Sequence, residues 1–224
     1  MNGRRPYRSI LLVGTLGAAL SGSLVYVRKV EPEDVEVVPV SLVLPRLDRR
    51  FDGYRIAQIS DLHADYWMTP GRVLGLVNLV NAEAPDLVVI TGDFATYSRF
   101  RSLIRYALGL VSPLSRLRAP DGVVAVLGNH DHKTDARAVR SVLAASGVVE
   151  LHNTVHTLHR GGAALHLCGV DDAKEGTPSL DHVLERLPKE GAAVLLVHEP
   201  DFADESAATG RFDLQLSGHS HGGQ

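Results

Sequence analysis

Five short apolar runs in this chain end alike: YRIAQIS (54–60), DLVVIT (86–91), GVVAVLG (122–128), AAVLLVH (192–198) and FDLQLS (212–217). Each has the length of a buried strand and is bounded by turn signals. Each also closes on, or is followed at once by, side chains that bind metals. These are Asp61 and His63; Asp93; Asn129, His130 and Asp131; His198; and His219 with His221. Helical spacings lie between the runs, so the alternation predicts an α/β domain. In open α/β sheets ligands bind outside the carboxyl ends of the strands, and the five groups are therefore expected to converge on one site.

The helical stretches carry their own punctuation. Thr69-Pro70 offers an N-cap and first-turn proline ahead of Val73, Leu76, Val77 and Val80 on one face. Leu103, Ile104, Ala107, Leu108, Val111 and Leu114 repeat that spacing, and Pro113 is expected to end or kink the helix. Thr134 is placed to cap a third helix stopping at Gly147, and Ser179 a fourth running towards Leu187. The alternating VEVVPVSLVLP (35–45) reads as a further strand.

Composition limits what such a site serves. A chain of 224 residues, 45% hydrophobic, fits one large domain more easily than two. Its net charge of -3 argues against non-specific nucleic-acid binding, and none is expected. The single cysteine, Cys168, excludes an internal disulfide and any zinc site built on several thiolates; it reads as a small buried hydrophobe.

The N-terminus reads as a separate module, residues 1–29. Ser9 to Val27 carries no charge and is about long enough for a bilayer-spanning helix of roughly 20 residues. Arg4, Arg5 and Arg8 precede it, and the acidic cluster Glu31, Glu33, Asp34 and Glu36 follows soon after. That asymmetry places the N-terminus inside and the bulk of the chain outside the cytoplasm. Arg4-Arg5 also resembles a twin-arginine export signal, and Ser21-Gly22-Ser23 has the small residues a signal peptidase accepts. The expectation is a membrane-anchored domain or one exported after cleavage, with 30–53 as linker and first strand, and 54–224 as the catalytic domain.

A lone D-x-H or a single strand-end histidine is weak evidence of a metal. Five together, all of oxygen or imidazole type, are strong. They make too many ligands for one tetrahedral zinc but fill two neighbouring five- or six-coordinate ions sharing a carboxylate, with Asp93 the natural bridge. Two ions about 3.5 to 4 Å apart can hold a hydroxide between them and clamp both oxygens of an in-line displacement at phosphorus. Phosphoester hydrolysis is the expected use.

The series DLH, GD, GNHD, a strand-borne His and GHSH resembles the signature of the calcineurin-like metallophosphoesterases. GVDD (169–172), HEPD (198–201) and GHSHGGQ resemble more closely a branch of membrane-associated or twin-arginine-exported bacterial phosphoesterases, described as similar to UDP-2,3-diacylglucosamine pyrophosphatase. The resemblance implies an αββα sandwich of two mixed sheets over roughly 54–224. It implies Asp61, His63, Asp93 and His221 around one divalent ion, and Asp93, Asn129, His198 and His219 around a second. Manganese, iron and zinc all suit such ligands. His130, beside Asn129 at the substrate, would steady the phosphoryl oxygen and protonate the leaving group. Asp131 would orient His130 through its other ring nitrogen, or cap the helix start.

The implied substrate is a phosphorylated small molecule or lipid. A non-catalytic metal- or phosphate-binding module and a nuclease of the same superfamily are the alternatives. Phe94-Ala95-Thr96 follows Gly92-Asp93 where relatives often carry another acid, and relatives continue past GGQ, so the C-terminus is expected to be incomplete. The remaining histidines read as structural: His152, His156, His159 and His166 in a polar strand-and-turn region, His132 and His182 facing solvent. Asp65, Tyr66 and Trp67 could line the substrate mouth or simply pack the loop.

Overall fold

LVVIT is apolar on both faces because both are covered. The computed structural model describes residues 35–99 and 103–223. In it the strand β2 (Leu87–Thr91) is buried at all five positions. It lies between β1 (Ile56–Ile59) and β3 (Val123–Val126), with β4 (Val149–Glu150) beyond, all four parallel. A second sheet runs β5-β6-β7-β8, from β5 (Thr154–Arg160), β6 (Ala163–Gly169), β7 (Ala192–Leu196) and β8 (Leu214–Leu216). This one is mixed. β5 and β6 form an antiparallel hairpin, while β7 and β8 pair in parallel. The hairpin turns on Gly161 and Gly162, both at positive φ, as a two-residue turn between right-twisted strands requires.

Side-chain alternation sorts the strands into layers. Leu87, Val89, Val124 and Val126 of the first sheet meet Leu165, Leu167, Val194 and Leu196 of the second in one core. Val88, Ile90 and Ala125 point the other way, onto helices. Those are α1 (Pro70–Ala82), α2 (Ile104–Leu108), α3 (Val111–Leu114) and α4 (Asn129–Ala145). On the outside of the second sheet, Cys168, Ala193, Leu195 and Val197 pack with Val183 of α5 (Leu180–Arg186) and with Phe202, just ahead of α6 (Ala203–Ala208). The order is helix, sheet, sheet, helix. Each buried Leu, Ile or Val contributes roughly 1.5–3 kcal/mol, so three contiguous clusters hold strand ends that have little packing of their own.

Local details depart from the sequence reading in three places. The helix expected across 103–114 is broken at Gly109 and Leu110, between α2 and α3. Pro113 removes the N–H that would bond Gly109 four residues back, so the break falls one turn ahead of the proline. α4 starts ahead of Thr134, at Asn129, and breaks at Asp135, which leaves helical geometry (φ -175) and caps the segment that follows by accepting from Ala138 N at 3.0 Å. VEVVPVSLVLP forms no strand: the chain divides between Ser41 and Leu42, and Val35, Val37, Val38, Val40, Leu42 and Val43 are exposed. Alternation fixes a strand only when a sheet edge receives it, and Pro39 also lacks a donor for the ladder. Leu44 and Leu47 are the first residues of this stretch to pack on the inter-sheet core.

The uncharged run Ser9 to Val27 lies outside the described residues. Among those described, no helix is long and apolar enough to cross a membrane.

Candidate metal centre

The carboxyl ends of β1, β2, β3, β7 and β8 open on one side, and the loops that follow carry the expected ligands. These loops are held in unusual backbone. Asp61, His63, Asp93, His219 and His221 all have positive φ, between 45 and 64. The left-handed region costs a non-glycine residue roughly 1–2 kcal/mol, so five together cost an amount comparable with a whole domain's net stability. Hydrogen bonds across the loops offset it. Asp61 N donates to Gly92 O, His63 N to Asp93 O, and Ala64 N to Phe94 O, at 2.8–3.0 Å. His219 N donates to both oxygens of Asp61, and His130 N to Asp93 Oδ1 at 2.9 Å. Backbone strain of this kind concentrates at functional sites.

The ligand atoms fall into overlapping groups. Asp61, His63 and His221 form one, and Asp93, His198 and His219 another, while Asp93 also groups with His63 and His130. His221 Nε2 is 3.1 Å from His63 Nε2 and 3.3 Å from Asp61 Oδ1. On the other side His198 Nε2 is 3.3 Å from His219 Nδ1. Asp93 sits between: its Oδ2 is 3.4 Å from His63 Nε2 and 3.2 Å from His198 Nε2. Asn129 is buried beside them, and its Oδ1 has no hydrogen-bond partner among the described residues.

Orientation comes from groups behind the ligands. His198 Nδ1 lies 2.7 Å from Thr91 O, which accepts its proton and so turns Nε2 towards Asp93. Glycines make room. A Cβ on Gly92 would lie 2.6 Å from His198 Nδ1, and one on Gly128 would lie 2.7 Å from Asp93 N and 2.8 Å from His198 Cε1. One on Gly218 would approach Asp61 Oδ2 at 2.5 Å.

The electrostatics favour cations. Burial raises Asp93, but the His198 hydrogen bond and charge outweigh it and hold the carboxyl below its usual range. Burial works against charge on His198, yet Asp93 holds its pKa up at about 9. The field that keeps a proton there would equally hold a metal ion. His63 and His219 are pushed down, mainly by burial, towards the neutral imidazole that ligates metals. Seven nitrogen and oxygen donors, an orphaned buried amide oxygen and the absence of thiolates fit divalent cations with mixed N/O ligation.

His130 and Asp131 do not form the expected pair. Asp131 is buried, and its Oδ1 accepts from Ala95 N at 2.9 Å and its Oδ2 from Gly128 N at 3.0 Å. It caps the start of α4 and ties the Gly92-Asp93 loop to it; burial and then the charge of Asp93 push its pKa up to about 7. What holds His130 is Tyr97 N, donating to its Nδ1 at 3.1 Å. Thr96 Oγ1 donates to His63 O at 2.7 Å.

Other expectations resolve locally. His132 does not face solvent: its Nε2 is 2.9 Å from Asp171 Oδ1, and its side chain is 13% exposed. His166 is buried between Thr157 Oγ1 and Glu190 O. Asp65 builds its own turn by accepting from Trp67 N and Met68 N, and the Arg72 guanidinium stacks on the Trp67 ring at 4.4 Å. Cys168 is buried as expected, and burial pushes its thiol up to about 12. Two contributors escaped the sequence: the main-chain N–H of Tyr97 and Lys174, whose Nζ lies 2.6 Å from His219 Nε2. Every residue has the first group, and an exposed loop lysine has no distinguishing pattern.

Comparison with known proteins agrees with this geometry. Residues 54–223 match the family described as calcineurin-like phosphoesterase. The uncharacterized metallophosphoesterase YkuE of Bacillus subtilis is 33% identical over 229 residues, 97% of this chain and 77% of that protein. A zebrafish (Danio rerio) transmembrane protein with a metallophosphoesterase domain is 30% identical over 204 residues, 84% of this chain but 45% of its own length. Among solved structures, TT1561 of Thermus thermophilus superposes with a TM-score of 0.51 at 17% identity, covering 73% of this chain and 81% of that one. At that identity the likeness is one of fold.

Proposed function

Because the chain belongs to the calcineurin-like phosphoesterases, we propose that it hydrolyses phosphoester or pyrophosphate bonds with two divalent cations. Asp61, His63, Asp93 and His221 would hold one, and Asp93, Asn129, His198 and His219 the other. The observation that carries this reading is the placement of Asp93 Oδ2 between His63 Nε2 and His198 Nε2, and Asn129, one residue before His130, adds a buried Oδ1 with no partner among the described residues. When bound, the cations supply positive charge for the phosphoryl oxygens and activate water at neutral pH.

The chain's own groups do the rest. Tyr97 N–H occupies Nδ1 of His130, so the neutral ring carries its proton on Nε2 and can donate it. His130 would bond a phosphoryl oxygen and then protonate the departing alkoxide, a role that contributes on the order of 10²–10⁴-fold. Asp131 keeps Gly128, Asn129 and the Asp93 loop in register through its two backbone hydrogen bonds.

The substrate we favour is a phosphorylated small molecule or lipid met at a membrane, with the domain outside the cytoplasm or exported. Its support is the uncharged run Ser9 to Val27 with its flanking charges, and a relative that is itself a transmembrane protein. The test is hydrolysis of bis(p-nitrophenyl) phosphate with and without added manganese, for wild type and Asp93→Ala. Turnover that needs metal and falls at least about a thousandfold in the variant is expected; turnover that survives the substitution would overturn the reading.

A further inference from the structure

The loop between β6 and α5 is built with more care than a solvent connection needs. Asp171 and Asp172 are buried at its start, and Glu199 lies buried beneath it. Asp172 Oδ1 accepts from Lys174 N and Glu175 N, Glu199 Oε2 from Ala173 N, and Asp171 Oδ2 from Thr177 N, at 2.6–3.0 Å. Asn153 Oδ1 accepts from Asp171 N, and His132 clamps Asp171 to α4. Lys133 of α4 pairs with Glu175 at 3.0 Å. The residue this framework presents to the metal centre is Lys174.

Its ammonium has an unusual partner. Lys174 Nζ lies 2.6 Å from His219 Nε2, and among the described residues no carboxylate lies within ion-pair distance of it. An ammonium has three donors and no acceptor, so Nε2 must accept here and the ring proton sits on Nδ1. Ligation through Nδ1, the atom that faces His198, moves that proton to Nε2. Donor would then face donor, and Lys174 must turn to another acceptor. Its four-carbon stem is flexible, and the acceptor supplied at that moment is the bound anion.

We propose that Lys174 binds a third unesterified phosphoryl oxygen of the substrate, beside Asp93, His198 and His219, and so favours phosphomonoesters and terminal pyrophosphate groups over diesters. This rests on the phosphoesterase reading. A diester has only two unesterified oxygens, which the cations, Asn129 and His130 suffice to engage. A phosphomonoester or a terminal pyrophosphate group has a third, and a charge that a diester lacks.

The experiment compares wild type, Lys174→Met and Lys174→Arg, manganese-loaded, in two readouts. Calorimetric titration with inorganic phosphate is expected to show binding about tenfold weaker in K174M, with most of it regained in K174R. On p-nitrophenyl phosphate KM should rise about tenfold with kcat within about threefold, and this rise should exceed that on bis(p-nitrophenyl) phosphate at least about fivefold. Equal penalties on the two esters, unchanged phosphate affinity or a loss of bound manganese in K174M would each overturn the proposal. If wild type turned over neither ester, the phosphoesterase reading would fall, while the phosphate titration would still decide whether Lys174 holds the anion.

Discussion

The main-chain N–H of Tyr97 donates to Nδ1 of His130 at 3.1 Å. A peptide N–H can only donate, so this contact selects the neutral tautomer with its proton on Nε2. The Tyr97 side chain has no part in it. Tyr97→Ala should therefore keep kcat within about threefold, whereas Tyr97→Pro, which lacks the donor, should lose roughly ten- to a hundredfold. Steady-state kinetics on bis(p-nitrophenyl) phosphate, with circular dichroism to confirm folding, checks this. Equal losses in the two variants would refute it.

Among the described residues Asn129 Oδ1 is buried without a partner, which costs roughly 1–3 kcal/mol in the metal-free protein. Asn129→Ala removes that cost along with the ligand. The chelated variant should be as stable as wild type or about 1 kcal/mol more so, while the manganese site that Asn129 would share with Asp93, His198 and His219 loses at least about tenfold in affinity. Urea unfolding in EDTA and metal titration read the two effects separately.

Backbone strain gives a test that ligand loss alone would not. His219 has a φ of 64, which alanine adopts at a cost and glycine does not. In EDTA, His219→Gly should be about 1 kcal/mol more stable than His219→Ala, against the usual order of the two residues, while both lose metal alike. Denaturant midpoints for the two variants decide it.

The His132–Asp171 pair sets a pH window. The His132 hydrogen bond, with Thr177 N–H, outweighs burial and holds Asp171 well below its ordinary 3.8. Its contribution is full above that value and lost as the pH falls through the depressed pKa. Asp171 raises His132 above 6.5, so that contribution is full below 6.5 and lost as the pH rises through the raised pKa. Asp171→Asn should therefore destabilise the chelated protein most between about pH 4 and 6.5, by about 1.5–3 kcal/mol, and less at pH 9. A pH-independent deficit would exclude the ion pair as its source.

Which parts of this were legible beforehand follows from the range of the forces involved. The apolar runs at 87–91, 123–126 and 192–196 declared themselves because a strand buried on both faces needs an unbroken apolar stretch; 56–59 and 214–216, each interrupted by a glutamine, are only partly buried. The alternation at 35–43 misled for the converse reason: a strand exists only through its neighbour. Thr134 and Asp135 are both acceptable caps by residue type, and only the folded backbone shows that Asp135 is the one that accepts from Ala138 N.

The sequence by itself determined the α/β alternation and the placing of Asp, Asn and His at five strand ends, since both depend on residue order and local backbone. Tertiary structure alone decided that Asp131 bonds Ala95 and Gly128 rather than His130, that a peptide N–H holds His130, and that Lys174 meets His219. Apart from the local Gly128 bond, those contacts join residues 33 to 45 positions apart, through backbone groups or flexible side chains, and their partners are set by how separate loops pack over the sheet ends.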